Sequence, residues 1–106
     1  MSTTRGFMEY VIDQASGAGD IRTRAMFGEY ALYCNEVVVA LICNDAVYMK
    51  INENTTQFLG DDYIKGKAYP GSKDFYEIQE DILEDKESFV MLITKCFEWL
   101  KNNNVK

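Results

Sequence analysis

Histidine is absent from the 106 residues of this chain, and that absence removes more chemistry than any other feature of the composition. No imidazole is available as a general base near neutral pH or as a transition-metal ligand. Ser-His-Asp and Cys-His arrangements and histidine-bearing zinc motifs are therefore excluded. Cysteine is also scarce: Cys34, Cys43 and Cys96 are odd in number and form no C-x-x-C pair, which reads as reduced, buried thiols rather than disulfides. A reactive thiol usually needs a nearby cation, histidine or helix N-terminus; Cys96 sits late in an expected helix and the other two lie in apolar strands, so no redox role is expected. Among the seven glycines there is no phosphate-cradling loop; Gly17-x-Gly19 is too short and follows a helix.

Cations are in the minority, 11 Lys and Arg against 17 Asp and Glu, for a formal net charge of −6. Nucleic-acid binding draws much of its affinity from cations that neutralise phosphates. The densest basic set, Lys65, Lys67 and Lys73, is too sparse for a phosphate-tracking groove, so direct nucleic-acid binding is not expected. The longest apolar run, Val37 to Cys43, falls far short of the ~20 residues of a membrane helix. Met1 to Glu9 lacks both the basic and the apolar regions of a signal peptide. Together these absences predict a soluble cytoplasmic protein with no membrane partner. Carboxylates pair at Asp61-Asp62, Glu80-Asp81 and Glu84-Asp85, but adjacent residues rarely converge on one ion, and these fall in expected solvated connections. Neither a metal site nor a cofactor is expected.

What is present is enough apolar material for one domain spanning 1–106, 47% hydrophobic and 13% aromatic. Folded chains of this size hide roughly 60–70% of their unfolded surface. Phe7, Met8, Val11, Ile12 and Ala15 recur at helical spacing over about Thr4 to Ser16, with Ser2, Thr3 or Thr4 as N-cap. Ser16 to Asp20, rich in glycine, ends this helix. Ile21 to Met26 reads as a strand. Three more segments, Tyr30 to Cys34, Val37 to Cys43 and Ala46 to Ile51, are joined by the two-residue turns Asn35-Glu36 and Asn44-Asp45. Asn and Asp tolerate the positive φ such turns require. Beyond them the pattern predicts a short helix over Glu53 to Leu59, an edge strand at Lys67 to Tyr69 stopped by Pro70-Gly71, and a strand at Phe75 to Ile78. A last helix over about Asp85 to Asn102, capped by Asp85, buries Phe89, Leu92, Ile93, Cys96, Phe97 and Leu100.

Two-residue turns set Cys34 opposite Val37, Tyr33 opposite Val38, Cys43 opposite Ala46 and Ile42 opposite Val47. Strict alternation then puts Ala31, Tyr33, Val38, Ala40, Ile42, Val47, Met49 and Ile51 on one face, which is expected to be the core. The opposite face carries Leu32, Cys34, Val37, Val39, Leu41, Cys43, Tyr48 and Lys50, less polar than a solvated face should be. Either the later part of the chain covers it, or it serves dimerisation or partner docking. Arg22 and Arg24, two apart on a strand, point to one side. They are either surface arginines paired with local acids or part of an anion- or partner-binding patch, with Tyr30 and Lys50 nearby.

The run Arg24-Ala25-Met26-Phe27-Gly28, followed by Tyr30-Ala31-Leu32-Tyr33 and Val47-Tyr48-Met49-Lys50-Ile51, resembles the N-terminal domain of the TfoX/Sxy family of bacterial competence regulators. Phe75-Tyr76-Glu77-Ile78 and the closing helix resemble that family's aromatic strand and C-terminal helix, so the likeness extends from about Phe7 to Leu100. The chain departs from the pattern at Glu29 and Glu36, where the family often has glycine. It also lacks the second domain of full-length regulators, so it reads as a stand-alone N-domain relative. The resemblance implies an α+β sandwich and an accessory role in transcription without a defined catalytic site. Read residue by residue, Met26, Phe27 and Gly28 are structural: Gly28 supplies a backbone conformation closed to other residues, while Met26 and Phe27 pack at the strand end.

The expected fold is thus α+β, an antiparallel sheet of about five strands with N- and C-terminal helices packed on it as a two-layer sandwich. The expected function is that of a non-enzymatic, protein-binding accessory module linked to transcription or competence regulation, with a transcription-factor-like partner or a second copy of itself. The alternative is a small-ligand-binding or sensing domain with a cavity lined by Tyr33, Met49, Phe75 and Trp99.

Overall fold

Four residues without glycine's freedom carry the two hairpin turns. Asn35, Glu36, Asn44 and Asp45 take φ of 50°, 73°, 51° and 56°, the left-handed values that two-residue hairpins demand. The computed structural model that establishes this describes residues 3–26 and 29–104. Its elements are α1 (Arg5–Ala15), a 3₁₀ turn (Ser16–Ala18), β1 (Ile21–Met26), β2 (Glu29–Cys34), β3 (Val37–Cys43), β4 (Ala46–Met49), α2 (Glu53–Leu59), β5 (Lys65–Lys67), β6 (Asp74–Ile78), α3 (Glu80–Leu83) and α4 (Lys86–Asn102). The strands form one antiparallel sheet in the order β1-β2-β3-β4-β6-β5. The α+β fold is as expected, with six strands rather than five.

Local chemistry explains the helix ends. The Thr4 hydroxyl accepts from the Phe7 N–H at the start of α1, and the Asp85 carboxylate accepts from the Ser88 N–H at the start of α4, each satisfying a donor that the helix itself cannot. Asn52 and Thr55 cap α2 reciprocally: the Asn52 side chain accepts from the Thr55 N–H, and the Thr55 hydroxyl accepts from the Asn52 N–H. Gly19, at φ 144°, ends the 3₁₀ turn in a region open only to glycine. Two elements differ from the sequence pattern. The edge strand β5 lies two residues earlier than expected, and Glu80-Asp81 opens the short helix α3 instead of a loop.

All packing of helices is on one side of the sheet. α4 touches α1, α2, α3 and β3, and α1 touches β1. The stripe Phe89, Leu92, Ile93, Cys96 and Leu100 of α4 is buried and joins Leu32, Cys34, Val39, Ala40, Ile42, Val47, Met49, Tyr76 and Ile78 from the sheet in one core. Burying each large aliphatic side chain there contributes roughly 1.5–3 kcal/mol. Even the polar members are satisfied: the Tyr76 hydroxyl shares a 2.7 Å hydrogen bond with Thr56 Oγ1, and Asn52 Nδ2 donates to Cys96 Sγ.

The core face differs from the one that strict alternation predicts, and the cause is a β-bulge. The predicted pairs Tyr33 with Val38 and Cys34 with Val37 are present, but the next pair is Leu32 with Ala40. Val39 has no partner on β2, although its carbonyl accepts from the Lys50 N–H at 3.1 Å, and one extra residue inverts the facing of everything on the far side of it. Ala40, Ile42, Val47 and Met49 are core, as expected. Tyr33 and Val38 are not, and Ala31, though buried, lies on the other face between Arg24 and Leu41; Leu32, Cys34 and Val39 take their place, with Val37 packed against them. Ile51, also assigned to the core by alternation, lies past the end of β4 and is exposed.

The N-terminal arm is stitched to one end of the sheet. Thr3 donates to Glu29 Oε1 through both its N–H (2.8 Å) and its hydroxyl (2.7 Å), and the Thr4 N–H donates to Asp45 Oδ1 at 2.7 Å.

Candidate interaction face of the sheet

The registers decide which side chains share the face away from the helices. In β1 and β2, Arg22 pairs with Tyr33, Arg24 with Ala31 and Met26 with Glu29. The intervening Ile21, Thr23 and Ala25 pair with Cys34, Leu32 and Tyr30 on the helix side, where the Thr23 hydroxyl meets the Met8 sulfur at 3.6 Å. Arg22 and Arg24 therefore do share one side, the open one. With Thr23, Tyr33 and Glu36 they line a shallow concavity of about 260 Å³ at the sheet edge. Arg22 is held by Asp20 at 3.3 Å and Glu36 at 3.7 Å. Arg24 has no ion pair among the described residues.

Farther across the same face, Cys43, Ala68 and Phe75 form a second, smaller cluster, with Leu41 and Tyr48 packed against it. Ala68 belongs to the chain after β5, so the later segment covers part of this face, as one of the two expected arrangements required. Cover stops there: Tyr33, Val38, Leu41 and Tyr48 stay half-exposed. Glu77 sits beside Tyr48 on β6. Burial first, then Glu77, Cys43 and Glu29, push the Tyr48 phenol above its usual range. Lys73 lies over the Phe75 ring, 5.6 Å from its centroid, within reach of a cation–π attraction.

Lys50 lies just past the end of β4, its N–H donating to the Val39 carbonyl at 3.1 Å. Burial, then the nearby positive charge of Lys73, lowers its ammonium pKa, against an opposing pull from Cys96. Three strand spacings separate β4 from β1, roughly 14 Å, so Lys50 joins Lys73 rather than the arginines. Tyr30 is not on the open face at all; it packs against the main core, because Ala25, its partner, faces the helices. Of the four expected partner-binding residues, the structure thus unites Arg22 and Arg24, sets Lys50 apart beyond the end of β4, and places Tyr30 on the helix side. Alternation had hidden Tyr33 in the core, and only the bulge reveals it as the aromatic neighbour of Arg22. Met26 is exposed rather than packed; Phe27 and Gly28 lie outside the described residues.

The four residues expected to line a ligand cavity are likewise separated. Met49 is buried in the main core, Phe75 belongs to the second cluster, Tyr33 is in the edge concavity, and Trp99 is at the core margin on α4. The thiols are all free and buried. Burial, opposed in part by the Asn52 hydrogen bond, drives the Cys96 pKa up to about 12. Burial and the Glu29 charge take Cys43 to about 11. Such thiols stay protonated and poorly nucleophilic near neutral pH. Among the described residues no three His, Cys, Asp or Glu side chains gather in a way that could hold a metal ion, and no helix is long and apolar enough to cross a membrane.

Comparison with known proteins completes the description. An uncharacterized 12.7 kDa protein in the trpE 5′ region of Spirochaeta aurantia is 34% identical over 93 residues, 88% of this chain and 79% of that protein. The family model of the TfoX N-terminal domain matches residues 13–99, from the last turn of α1 almost to the end of α4. With the matched span taking in the whole sheet, the chain belongs to the TfoX N-terminal domain family.

Proposed function

We propose that this protein is a non-enzymatic accessory module that acts by holding another protein against the open face of its sheet, in the transcriptional side of the competence-type regulation to which its family is linked. The observation that carries the reading is the one-sided placement of the helices. It leaves Tyr33, Val38, Leu41 and Tyr48 half-exposed between two cationic groups, Arg22 with Arg24 and, over the Phe75 ring, Lys73. Aromatic residues and arginine are enriched at protein interfaces, and Tyr33, Tyr48, Arg22 and Arg24 are of those types. The net charge of −6 favours a protein over a nucleic acid as the occupant.

The test is site-specific photocrosslinking in the native cell, with the probe at Tyr33 or Val38 on the open face and at the exposed Met91 of α4 as control. Covalent protein adducts several-fold more abundant from the sheet positions are expected. Equal yields from sheet and helix positions, or none from the sheet, overturn the reading. An adduct of twice the chain mass identifies the partner as a second copy.

A further inference from the structure

The strand β1 is an edge of the sheet, and its free side has a readable chemistry. The Asn35 N–H donates to the Asp20 carbonyl at 2.9 Å, and bonded pairs alternate along an antiparallel ladder. The even-numbered residues of β1 therefore bond to β2, while Ile21, Thr23 and Ala25 turn their backbone N–H and C=O outward. Edge strands are commonly blunted by shortness, proline or cover. The opposite edge follows that rule, since β5 has three residues and runs into Pro70. β1 has six residues and no proline, and four of the six are exposed.

We infer that the free edge of β1 accepts an extended segment of a partner protein as a seventh strand, and that this segment carries acidic residues at alternate positions. The inference rests on the protein-binding reading above and names the chemistry of the partner. In an added strand, every second side chain lies on the open face beside Arg22 and Arg24, where a carboxylate is directly opposed to a guanidinium. Arg24 has no competing ion pair among the described residues. Arg22 exchanges exposed, screened contacts with Asp20 and Glu36 for the new one, at little cost. The side chains between the acids turn toward Ile21, Thr23 and Met8 on the helix side, which favours small or apolar residues there.

The same charges reject the simplest competitor, a second copy of this chain pairing through β1. Antiparallel self-pairing must oppose odd residues to odd residues. In the two most overlapped registers, Arg22 then faces Arg24 of the other copy, or Arg24 faces its own equivalent. Like charges directly opposite are destabilising, so the arginines discriminate by attraction and by repulsion together.

The experiment titrates the isotope-labelled protein with a short capped peptide of alternating Glu and Val, using the same peptide with Lys in place of Glu as control. Amide exchange and chemical shifts are followed by NMR. The Glu peptide is expected to slow exchange at Ile21, Thr23 and Ala25, and the Lys peptide to leave them unchanged. Arg22→Glu with Arg24→Glu should weaken the Glu peptide by about tenfold or more, through lost attraction and added repulsion. Thr23→Pro removes an outward N–H without touching the β1–β2 ladder, a substitution tolerated on a sheet edge. It should abolish exchange protection while the remaining spectrum stays native. Equal binding of the Lys peptide, unprotected outward amides, or full binding by the proline variant each overturns the proposal. So does protection that grows with protein concentration alone, which would mark a second copy. If crosslinks form on the open face while the edge amides stay unprotected, strand addition fails and the protein-binding reading stands; if neither is seen, both fail.

Discussion

Both faces of the sheet carry apolar side chains, yet the fold treats them in opposite ways. Leu32, Cys34, Val39, Ala40, Ile42, Val47 and Met49 meet α1 and α4 and lose all contact with solvent. Leu41 and Tyr48 meet only the small cluster of Cys43, Ala68 and Phe75, and with Tyr33 and Val38 they remain half-exposed. Hydrophobicity alone therefore does not mark the core of this protein. What marks it is the stripe on α4, wide enough to cover one face and not two.

The comparison breaks most sharply at two leucines on neighbouring strands. Leu32→Ala opens a cavity under α4 and is expected to cost about 2–5 kcal/mol, whereas Leu41→Ala on the open face should cost about 1 kcal/mol or less. Urea unfolding of both variants measures the gap, and equal losses would mean that the two faces are equally buried.

A second difference is electrostatic. The Cys96 thiol, deep on the helix face, ionises at about 12 in the folded protein against an ordinary 9.0. Below pH 9 both folded and unfolded chains keep this proton, so stability does not depend on it. Above pH 9 the unfolded chain releases it first, and stability falls as pH rises toward 12, by up to about 1.4 kcal/mol per pH unit. Denaturant unfolding between pH 8 and 10.5 should show a shallower fall in Cys96→Ala than in the native protein. Parallel curves would show that burial does not hold the proton.

The smallest effect concerns the hairpin that carries both faces. Glu36 sits at φ 73°, where a side chain is strained and glycine is not. Glu36→Gly should stabilise the protein by about 0.5–1 kcal/mol, read as a rise in Tm, even though it removes the exposed contact to Arg22. A loss of stability would mean that this ion pair matters more than the turn.

These contrasts also show where the sequence was legible. The turn residues announced both hairpins and the pairs next to them, because positive φ is a local demand. The Asp85 cap and the stripe on α4 are equally readable, since helical periodicity and capping depend on near neighbours, while the cap of α1 is narrowed only to Ser2, Thr3 or Thr4. The bulge is not readable. Val37 to Cys43 is apolar at every position, so no polar residue records the change of face at Val39, and Tyr33 was assigned to the wrong side. The arginine pair was found because spacing of two on a strand suffices to place them together. Tyr30 falls on the other side because its cross-strand partner is Ala25, which faces the helices, and a spacing rule within β1 says nothing about that pairing.

The unpaired Val39 has a consequence for how this hairpin can vary. On an unbroken strand, tolerated and forbidden positions would alternate without pause. Here the beat slips: Val39 and Ala40, adjacent in the chain, are both sealed from solvent, and Val38 before them and Leu41 after them are free to change. A saturation scan along β3 would meet two such doubled positions, Val39-Ala40 at the bulge and Ile42-Cys43, where the second cluster seals Cys43 from the other side.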